Sequence, residues 1–340
     1  MIISPGKIQY INADIPECHD NEVLIHVLYA GICASDIQVY HGLHKYVTYP
    51  LVQGHEGVGV VKKVENHVKH IVPGDIICVQ PQIVCNNCFM CSLGHVNICE
   101  NLKHFGISRE GLFQEYVVIP AWNAVKLPGG IPLKKGVLVE PAAIAMNAIR
   151  KGRVKKDDRI LVIGAGIIGN LVAQIAQYLG AEVILTDIQP KKLELAKKHG
   201  IKGVINTLHT NVADEIKHCY GIQGATVVFD CAAIPSAFKQ ALECMSMASR
   251  IVIVANYKVP IEFDMPSIQR KEIELLGVMG CSRQDFLDSL DVISKGAIDI
   301  SGFISREFPL DKLQQAYKYI DSSPDTMKVL LKTNEAAKNY

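Results

Sequence analysis

Residues 159–169 read RILVIGAGIIG and decide the fold of the chain around them. The run that opens with Arg159 is otherwise apolar and mostly β-branched, which predicts a short strand buried on both faces. Gly164, Gly166 and Gly169 then follow the spacing G-x-G-x-x-G. In this spacing the first glycine permits a turn, the second lets the backbone approach a pyrophosphate, and the third lets a helix pack closely on the strand. The stretch therefore predicts a strand, a tight turn and a helix start.

The residues after this turn extend the same unit. Apolar residues recur at three- and four-residue steps over 169–179, and Gly180 provides a helix stop. Residues 182–186 form the next predicted strand, and Asp187 ends it, 18 residues after Gly169. A carboxylate there can accept hydrogen bonds from the adenosine ribose of NAD and would repel the 2′-phosphate of NADP. The sequence therefore favours NAD, with NADP as the less favoured cofactor.

Composition limits the classes of partner and compartment. At 340 residues the chain is too long for one ordinary core, so two domains are expected. A net charge of +1 gives no basic stripe for nucleic acid or a membrane surface, so the expected partner is a small molecule. No apolar run is long enough to span a membrane, and the N-terminus shows no secretory signal. We therefore expect a cytoplasmic protein, in which the 11 cysteines hold metal more often than disulfides.

The remaining pattern predicts two kinds of domain. Residues 1 to about 140 read as short strands separated by Gly, Pro and Asn turns, which predicts a small β-barrel-like domain. After Asp187, strands and helices alternate as far as residue 276, which completes six strands of a doubly wound parallel sheet. The last segment is expected to return to the first domain.

Four cysteines occupy one short stretch, residues 85–99. Cys85, Cys88, Cys91 and Cys99 follow the spacing C-x-x-C-x-x-C-x7-C. Four thiolates this close can enclose one Zn²⁺ with no open position, which is typical of a structural site. His95 lies inside the stretch and could replace one sulfur, but four thiolates suffice, so we interpret it as a non-ligand.

A second candidate metal site is scattered along the chain. Cys33, His55, Glu56 and Glu140 are good zinc ligands, and each stands at a predicted strand end or helix start. Three protein ligands with one exchangeable position are the arrangement of a catalytic zinc. Taken singly, these residues also have structural interpretations. His55 could be a core histidine, and Glu140 could be a carboxylate at a helix N-terminus.

These features occur together in a known order. With G-H-E at 54–56, G-x-C-x-S-D at 31–36, the four-cysteine stretch, V-E-P at 139–141 and the glycine turn, the chain resembles the zinc-dependent medium-chain alcohol dehydrogenases over nearly all its length. It looks most similar to their sorbitol, polyol and sugar-acid dehydrogenase branch. The resemblance implies an α/β protein with a GroES-like β-barrel catalytic domain and a doubly wound Rossmann coenzyme domain.

The resemblance also implies boundaries and assembly. The catalytic domain would comprise residues 1–141 and 279–340 and would include the zinc lobe 85–99, while residues 142–278 would bind NAD. A homodimer or homotetramer is expected, with two zinc ions per chain.

The ligand roles come from the same resemblance. Cys33 and His55 would bind the catalytic zinc, Glu56 would be a third ligand, and Glu140 would be a ligand or a water-linked neighbour that exchanges with it. Asp36 would orient His55 from behind.

The substrate and cofactor roles follow in the same way. Ser35 would hydrogen-bond the substrate oxygen and pass its proton outward, but Gln38 stands where many relatives carry a relay histidine. Gln38 cannot titrate, so the proton must leave by water or another group, with His41 and His44 as candidates. The residues assigned to the cofactor are Gly164, Gly166, Ile167, Ile168, Gly169, Asp187, Lys192, Cys231 and Lys328, with Lys328 approaching the pyrophosphate.

The sequence therefore predicts reversible hydride transfer between NAD and a secondary alcohol of a polyol or sugar acid. Arg283 is a candidate partner for a substrate carboxylate. An enzyme similar to threonine 3-dehydrogenase or butanediol dehydrogenase shares every motif above and stays an alternative. A non-catalytic nucleotide-binding protein is the alternative from another class, and it would have no need for the open zinc site.

Overall fold

The structure, a computed structural model, describes residues 1–333 and divides them into two compact units. Unit 1 comprises Met1–Glu140, Ser282–Phe286 and the described residues from Ser301 onward. Unit 2 comprises Pro141–Cys281 and Leu287–Ile300. The first predicted boundary, after residue 141, is within one residue of the observed one.

The second boundary differs from the prediction, which assigned everything after residue 278 to the first domain. Leu287–Ile300 groups with unit 2 because its polar groups bind there. Arg150 lies 2.8 Å from Asp288, and the Gln174 side chain bonds the backbone of Asp299 in both directions, at 2.9 and 2.7 Å. These contacts join residues more than a hundred positions apart, and periodicity carries no information about them.

The longer strands of the sheets coincide with apolar, mostly β-branched runs bounded by turn residues. In chain order the strands are β1 Ile2–Ser4, β2 Lys7–Ile8, β3 Glu22–Ile32, β4 Glu56–Val64, β5 Ile76–Val79, β6 Gln82–Ile83, β7 Lys103–His104, β8 Tyr116–Pro120, β9 Ala124–Lys126, β10 Arg159–Ile163, β11 Glu182–Asp187, β12 Gly203–Asn206, β13 Ala225–Asp230, β14 Met245–Ile253, β15 Glu274–Gly277, β16 Ile304–Pro309 and β17 Lys328–Lys332.

Several helices begin beside a glycine, proline or asparagine, as at Gly166, Pro190 and Asn211, and their apolar residues recur at helical spacing. The helices are α1 Ala34–Tyr40, α2 Phe89–Ser92, α3 Leu133–Gly136, α4 Val139–Lys151, α5 Ile167–Tyr178, α6 Pro190–Lys198, α7 Val212–Tyr220, α8 Pro235–Cys244, α9 Met265–Lys271, α10 Arg283–Ser294 and α11 Leu313–Ser322, with 3-10 turns at Val96–Ile98, Ala121–Asn123 and Leu310–Lys312. Within the described residues, no helix has the length and apolar character needed to span a bilayer.

Unit 1 is built on a mixed seven-stranded sheet in the order β16-β17-β3-β4-β5-β9, with β8 also paired to β3. β3 is the central strand: it pairs antiparallel with β4, β8 and β17, and ten of its eleven residues are buried. Residues of this sheet form one core with Phe105, Ile119 and Tyr317. The register places Gly31 of β3 opposite Glu56, the first residue of β4.

Unit 2 is a six-stranded parallel sheet in the order β12-β11-β10-β13-β14-β15. This is the doubly wound order, which reverses beside the central strand β10. Ile160, Leu161 and Val162 of β10 are 0% exposed, as expected for a parallel strand covered on both faces. Each such side chain contributes about 1.5–3 kcal/mol by leaving water.

Candidate active site

The four cysteines of residues 85–99 converge in unit 1. Their four Sγ atoms all lie within 4.8 Å of one another. Cys99 Sγ is 3.4 Å from Cys85 Sγ and 3.9 Å from Cys88 Sγ. One ion with Zn–S distances of about 2.3 Å can bridge donors at such separations. His95 is exposed and lies outside this group.

Backbone N–H groups are aimed at these sulfurs. Asn101 N lies 3.3 Å from Cys99 Sγ, and Glu100 N lies 3.5 Å from Cys88 Sγ. A hydrogen bond from the Asn87 backbone, with one from the Asn101 side chain, lowers the pKa of Cys85 to about 6. Donors that stabilise thiolate sulfur are what a closed zinc site requires of its surroundings, so the residues present fit this ion.

A second convergent group contains Cys33, His55 and Glu56, whose donor atoms also all lie within 4.8 Å of one another. Cys33 stands between β3 and α1, while His55 and Glu56 enter β4, the neighbour of β3. The pairing of two strands therefore brings the ligands together. A thiolate, an imidazole and a carboxylate suit zinc, which accepts S, N and O donors. His55 is 4% and Glu56 1% exposed, so these donors are sheltered from water.

Asp36 connects the two ligand-bearing segments. Its Oδ2 accepts the Cys33 N–H at 2.9 Å, and its Oδ1 accepts the Gly54 N–H at 3.3 Å. Asp36 Oδ1 also lies 3.8 Å from His55 Nδ1, an ion-pair distance that is too long for a hydrogen bond. Burial lowers the pKa of His55, but Asp36 and Cys33 raise it well above its ordinary value.

Lys328 of β17 pairs with the Glu56 carboxylate. Its Nζ lies 2.7 Å from Glu56 and 3.1 Å from the carbonyl of Ile32, and the lysine is 5% exposed. Burial lowers the pKa of Lys328, but Glu56 raises it above its ordinary value. Both hydrogen bonds that Lys328 Nζ donates have acceptors within unit 1, so the predicted pyrophosphate contact stays a prediction.

The Glu56 carboxylate can lie close to β3 because Gly31, the residue opposite Glu56, has no side chain. A Cβ at Gly31 would lie 2.3 Å from Glu56 Oε2 and 2.8 Å from Val137 Cγ1. The carboxylate therefore occupies space that a larger residue at position 31 would take.

Glu140 lies near the cluster but outside the group of three. It belongs to the first turn of α4 and is 6% exposed. Burial raises its pKa, which reaches about 7 with help from Glu56 and against the effect of His55. A buried carboxyl of this kind can gain or lose a proton near neutral pH, and its predicted role as a ligand or exchanging neighbour stays a prediction.

The predicted proton-transfer residues lie on α1 and just beyond it. Ser35 and Gln38 are half-buried on the helix that begins after Cys33. His41 is exposed and its Nε2 lies 3.1 Å from Asp321 Oδ1. His44 is half-buried, and burial together with His55 lowers its pKa.

Sequence reasoning missed His104. Its ring contacts His55 edge-on with a centroid distance of 5.1 Å, and its Nδ1 lies 2.8 Å from the Phe105 carbonyl. Burial, with His55 and His44 nearby, lowers its pKa to about 3. His104 follows the cysteine stretch by five residues, and nothing in that spacing indicates the contact.

The glycine turn of unit 2 has the backbone geometry expected of its first and third glycines, and the pyrophosphate approach at the second stays a prediction. Gly164 has φ +96°, and a Cβ at Gly169 would lie 1.8 Å from the Gly164 carbonyl oxygen, so the helix can approach only without a side chain. A Cβ at Gly166 would meet nothing within 4 Å. Ile167 and Ile168 begin α5 behind this open space, with their backbone N–H groups at the helix N-terminus.

The other predicted cofactor residues of unit 2 surround this turn. Asp187 Oδ2 accepts the Ala165 N–H at 2.7 Å, which fixes the carboxylate beside the glycines. Cys231 follows β13, and its N–H donates to the Ile163 carbonyl at 2.9 Å. Lys192 is half-buried in the first turn of α6. An open helix N-terminus beside an anchored carboxylate fits a dinucleotide, because its pyrophosphate and ribose need those two groups.

Arg283 is held by contacts within unit 1. Its Nη1 donates to Gln80 Oε1 at 3.0 Å and to the Trp122 carbonyl at 2.7 Å, and the guanidinium lies 4.7 Å from the Trp122 ring centroid. A pairing of this side chain with a substrate carboxylate stays a prediction.

Two family models match the chain. The alcohol dehydrogenase GroES-like domain matches residues 19–129, and the zinc-binding dehydrogenase domain matches residues 168–295. These matches confirm the predicted fold class.

Similar proteins cover almost the whole chain. The 2-dehydro-3-deoxy-L-galactonate 5-dehydrogenase of Pseudoalteromonas atlantica is 35% identical, over 92% of each chain. L-threonine 3-dehydrogenase of Proteus mirabilis is 29% identical over 96% of each.

Two solved structures carry a nicotinamide cofactor. The alcohol dehydrogenase RspB of Escherichia coli, in complex with NADH, has a TM-score of 0.91 and 32% identity, with 97% of each chain covered. A zinc-binding dehydrogenase of Sinorhizobium meliloti, bound to NADP, has a TM-score of 0.90 and 30% identity, again with 97% of each chain covered.

Proposed function

The chain belongs to the zinc-dependent medium-chain alcohol dehydrogenases, and from that premise we propose that it transfers hydride reversibly between NAD and a secondary alcohol of a polyol or sugar acid. Membership of this family makes the protein an oxidoreductase of CH–OH groups in small molecules. The family and its NADH-bound relative also support a nicotinamide cofactor and zinc. We propose further that the cofactor is NAD, that each chain binds two zinc ions, and that the substrate is a polyol or sugar acid.

The observation that carries the proposal is the convergence of half-buried Cys33 with buried His55 and Glu56. We propose that these three residues hold a catalytic zinc, with Glu140 as a ligand or exchanging neighbour. When bound, zinc supplies a Lewis acid for the substrate oxygen. The four cysteines at 85–99 would hold the second, structural zinc.

The residues beside the cluster would orient the substrate and remove its proton. We propose that Ser35 hydrogen-bonds the substrate hydroxyl and relays its proton, taking it up while releasing its own hydroxyl proton outward, as hydride passes from the carbon to NAD. Gln38 cannot carry the proton further because an amide does not titrate near neutral pH. The proton therefore continues to water or to a histidine such as His44. His41 is less suited, because its Nε2 is already paired with Asp321.

The cofactor preference rests on Asp187. Its carboxylate stands at the end of β11, where the ribose hydroxyls of a dinucleotide would bind, and Ile188 and Gln189 supply no cation for a 2′-phosphate. Gly164, Gly166, Ile167, Ile168 and Gly169 would hold the pyrophosphate through backbone N–H groups, while Lys192 and Cys231 would flank the cofactor. The chain would work as a homodimer or homotetramer, as the family resemblance implies.

The substrate class is supported by the sugar-acid dehydrogenase among the relatives, at 35% identity. A second candidate is an L-threonine 3-dehydrogenase activity, which a 29% identical relative carries out. The two differ in whether the carbon beside the reacting alcohol carries a hydroxyl or an ammonium group.

A substrate panel tests the proposal. Purified protein is supplied with zinc and with NAD or NADP, and NAD(P)H release is followed over polyols, aldonates, L-threonine and 2,3-butanediol, with zinc counted per chain. We expect two zinc ions, and kcat/KM at least about tenfold higher with NAD than with NADP, on a polyol or aldonate. Asp187→Ala should reduce that ratio. Preferred turnover of L-threonine would favour the second candidate, and one zinc with no turnover of any alcohol would refute both.

A further inference from the structure

A chain of buried hydrogen bonds runs from α11 to the segments that carry the metal-ligating residues. Tyr317 Oη donates to Gln53 Oε1 at 2.5 Å, and Gln53 Nε2 donates to the backbone carbonyl of Asp36 at 2.8 Å. Tyr317 is 0% exposed, and Gln53 and Asp36 are each 1% exposed. Water cannot replace a lost partner at such positions without rearrangement, so each bond fixes the geometry of the next.

The far end of this chain holds both ligand-bearing segments. Asp36 accepts the N–H of Cys33 at 2.9 Å with one carboxylate oxygen and the N–H of Gly54 at 3.3 Å with the other. Gln53 immediately precedes Gly54 and His55 in the chain. The Gln53 amide therefore ties the His55 segment to the first turn of α1 at a second point, independent of the Asp36 carboxylate.

The tyrosine ring and its hydroxyl have separable roles. The Tyr317 ring stacks on Tyr40 with a centroid distance of 4.5 Å and an interplanar angle of 18°, and it belongs to the apolar core of unit 1. That packing needs no hydroxyl. The hydroxyl is used to fix the Gln53 amide, since its donation to Oε1 determines that Nε2 faces the Asp36 carbonyl.

We propose that Tyr317 and Gln53 are positioning residues that keep the Cys33 and His55 segments at the separation one metal ion requires. The inference rests on the proposed function, because it presumes a zinc at Cys33, His55 and Glu56. Neither residue belongs to the group of donors itself. They act through Asp36 and the backbone, and partners that orient a ligand from behind affect metal affinity about 10–100-fold when removed.

Zinc retention tests the inference without relying on turnover. Wild type, Tyr317→Phe, Gln53→Met and the double variant are dialysed against increasing concentrations of a zinc chelator, and the zinc left on each chain is counted. Two steps of zinc loss are expected as the chelator concentration rises. Cys33→Ser should keep only the zinc of the four cysteines, so it identifies the step that belongs to them. We expect Tyr317→Phe to lose the other zinc at about tenfold lower chelator concentration. The double variant should lose it no more readily than Gln53→Met, because both changes break one chain of bonds.

Tyr220→Phe is the matched control. It removes a tyrosine hydroxyl in unit 2 that donates to the carbonyls of Ile160 and Glu182, each at 3.0 Å. This control should lower the melting temperature without moving either zinc step. Superimposable steps for Tyr317→Phe, Gln53→Met and wild type would overturn the inference, as would an equal shift in Tyr220→Phe. A wild-type protein with only the four-cysteine step would instead refute the proposed function.

Discussion

The four-cysteine lobe takes all its ligands from residues 85–99, whereas Cys33, His55 and Glu56 stand on separate segments that the sheet of unit 1 brings together. The lobe contains one short helix, α2, with no buried residue, while the second cluster is backed by the central strand β3. A loop with so little core needs its ion to hold it together, and a cluster on a formed sheet does not. Zinc would therefore stabilise the fold in the lobe and take part in the reaction at the second cluster.

The largest expected effect comes from breaking the buried cluster. Cys33→Ser or His55→Ala should reduce turnover by at least about 10³-fold, because the Lewis acid is lost, while NADH binding in unit 2 persists. Steady-state rates and NADH fluorescence titration measure the two properties. A variant that keeps near-normal rates would show that this cluster does not hold a catalytic ion.

Breaking the lobe should affect folding more than chemistry. Cys88→Ser is expected to cost roughly 2–3 kcal/mol, which lowers the melting temperature by about 5–10 °C, because the loop loses its ion. His95→Ala is the control within the same stretch and should change it by less than about 1 °C. Differential scanning calorimetry measures both, and a wild-type melting temperature in Cys88→Ser would contradict a structural ion.

The pH dependence of stability sharpens the comparison further, in zinc-free protein, with an effect similar in size to that of the lobe variant. Glu140 has a folded pKa of about 7 against 4.5 when free, so the folded state retains its proton over that interval. Stability from this group is highest below about pH 4.5 and is lost as pH rises through 7, by about 3 kcal/mol in total.

Urea unfolding at pH 5 and pH 8 measures this loss. Glu140→Gln should remove most of the difference between the two pH values. Glu100→Gln, at an exposed position directly after the lobe, should leave the difference within about 0.5 kcal/mol of its wild-type value. If the difference in stability between pH 5 and pH 8 were unchanged in Glu140→Gln, burial would not be raising the pKa of the Glu140 carboxyl.

The sequence predicted what is encoded locally. The spacing of the four cysteines, the glycine turn at 164–169 and the carboxylate of Asp187 each depend on residues close together in the chain, and their geometry follows from backbone conformation. The alternation of strands and helices predicted the parallel sheet of unit 2, because a crossover helix leaves few topologies open.

Contacts between distant residues could not be predicted. Lys328 pairs with Glu56 across 272 positions, and Tyr317 reaches Gln53 across 264. Both pairs depend on tertiary packing in unit 1: the sequence assigned Lys328 to the pyrophosphate rather than to Glu56, and Tyr317 had no feature that set it apart from a core residue. His104 was missed for the same reason, since only the folded chain brings its ring to His55.

The pairing of Lys328 with Glu56 has a consequence for biosynthesis. The cysteine stretch can capture an ion as soon as residue 99 has emerged from the ribosome, since every ligand is then available. The buried carboxylate of Glu56 acquires its counter-charge only when β17, near the end of the chain, has been made and has docked beside β3. Newly made chains should therefore load the two proposed zinc ions in sequence, with the one at Cys33, His55 and Glu56 last.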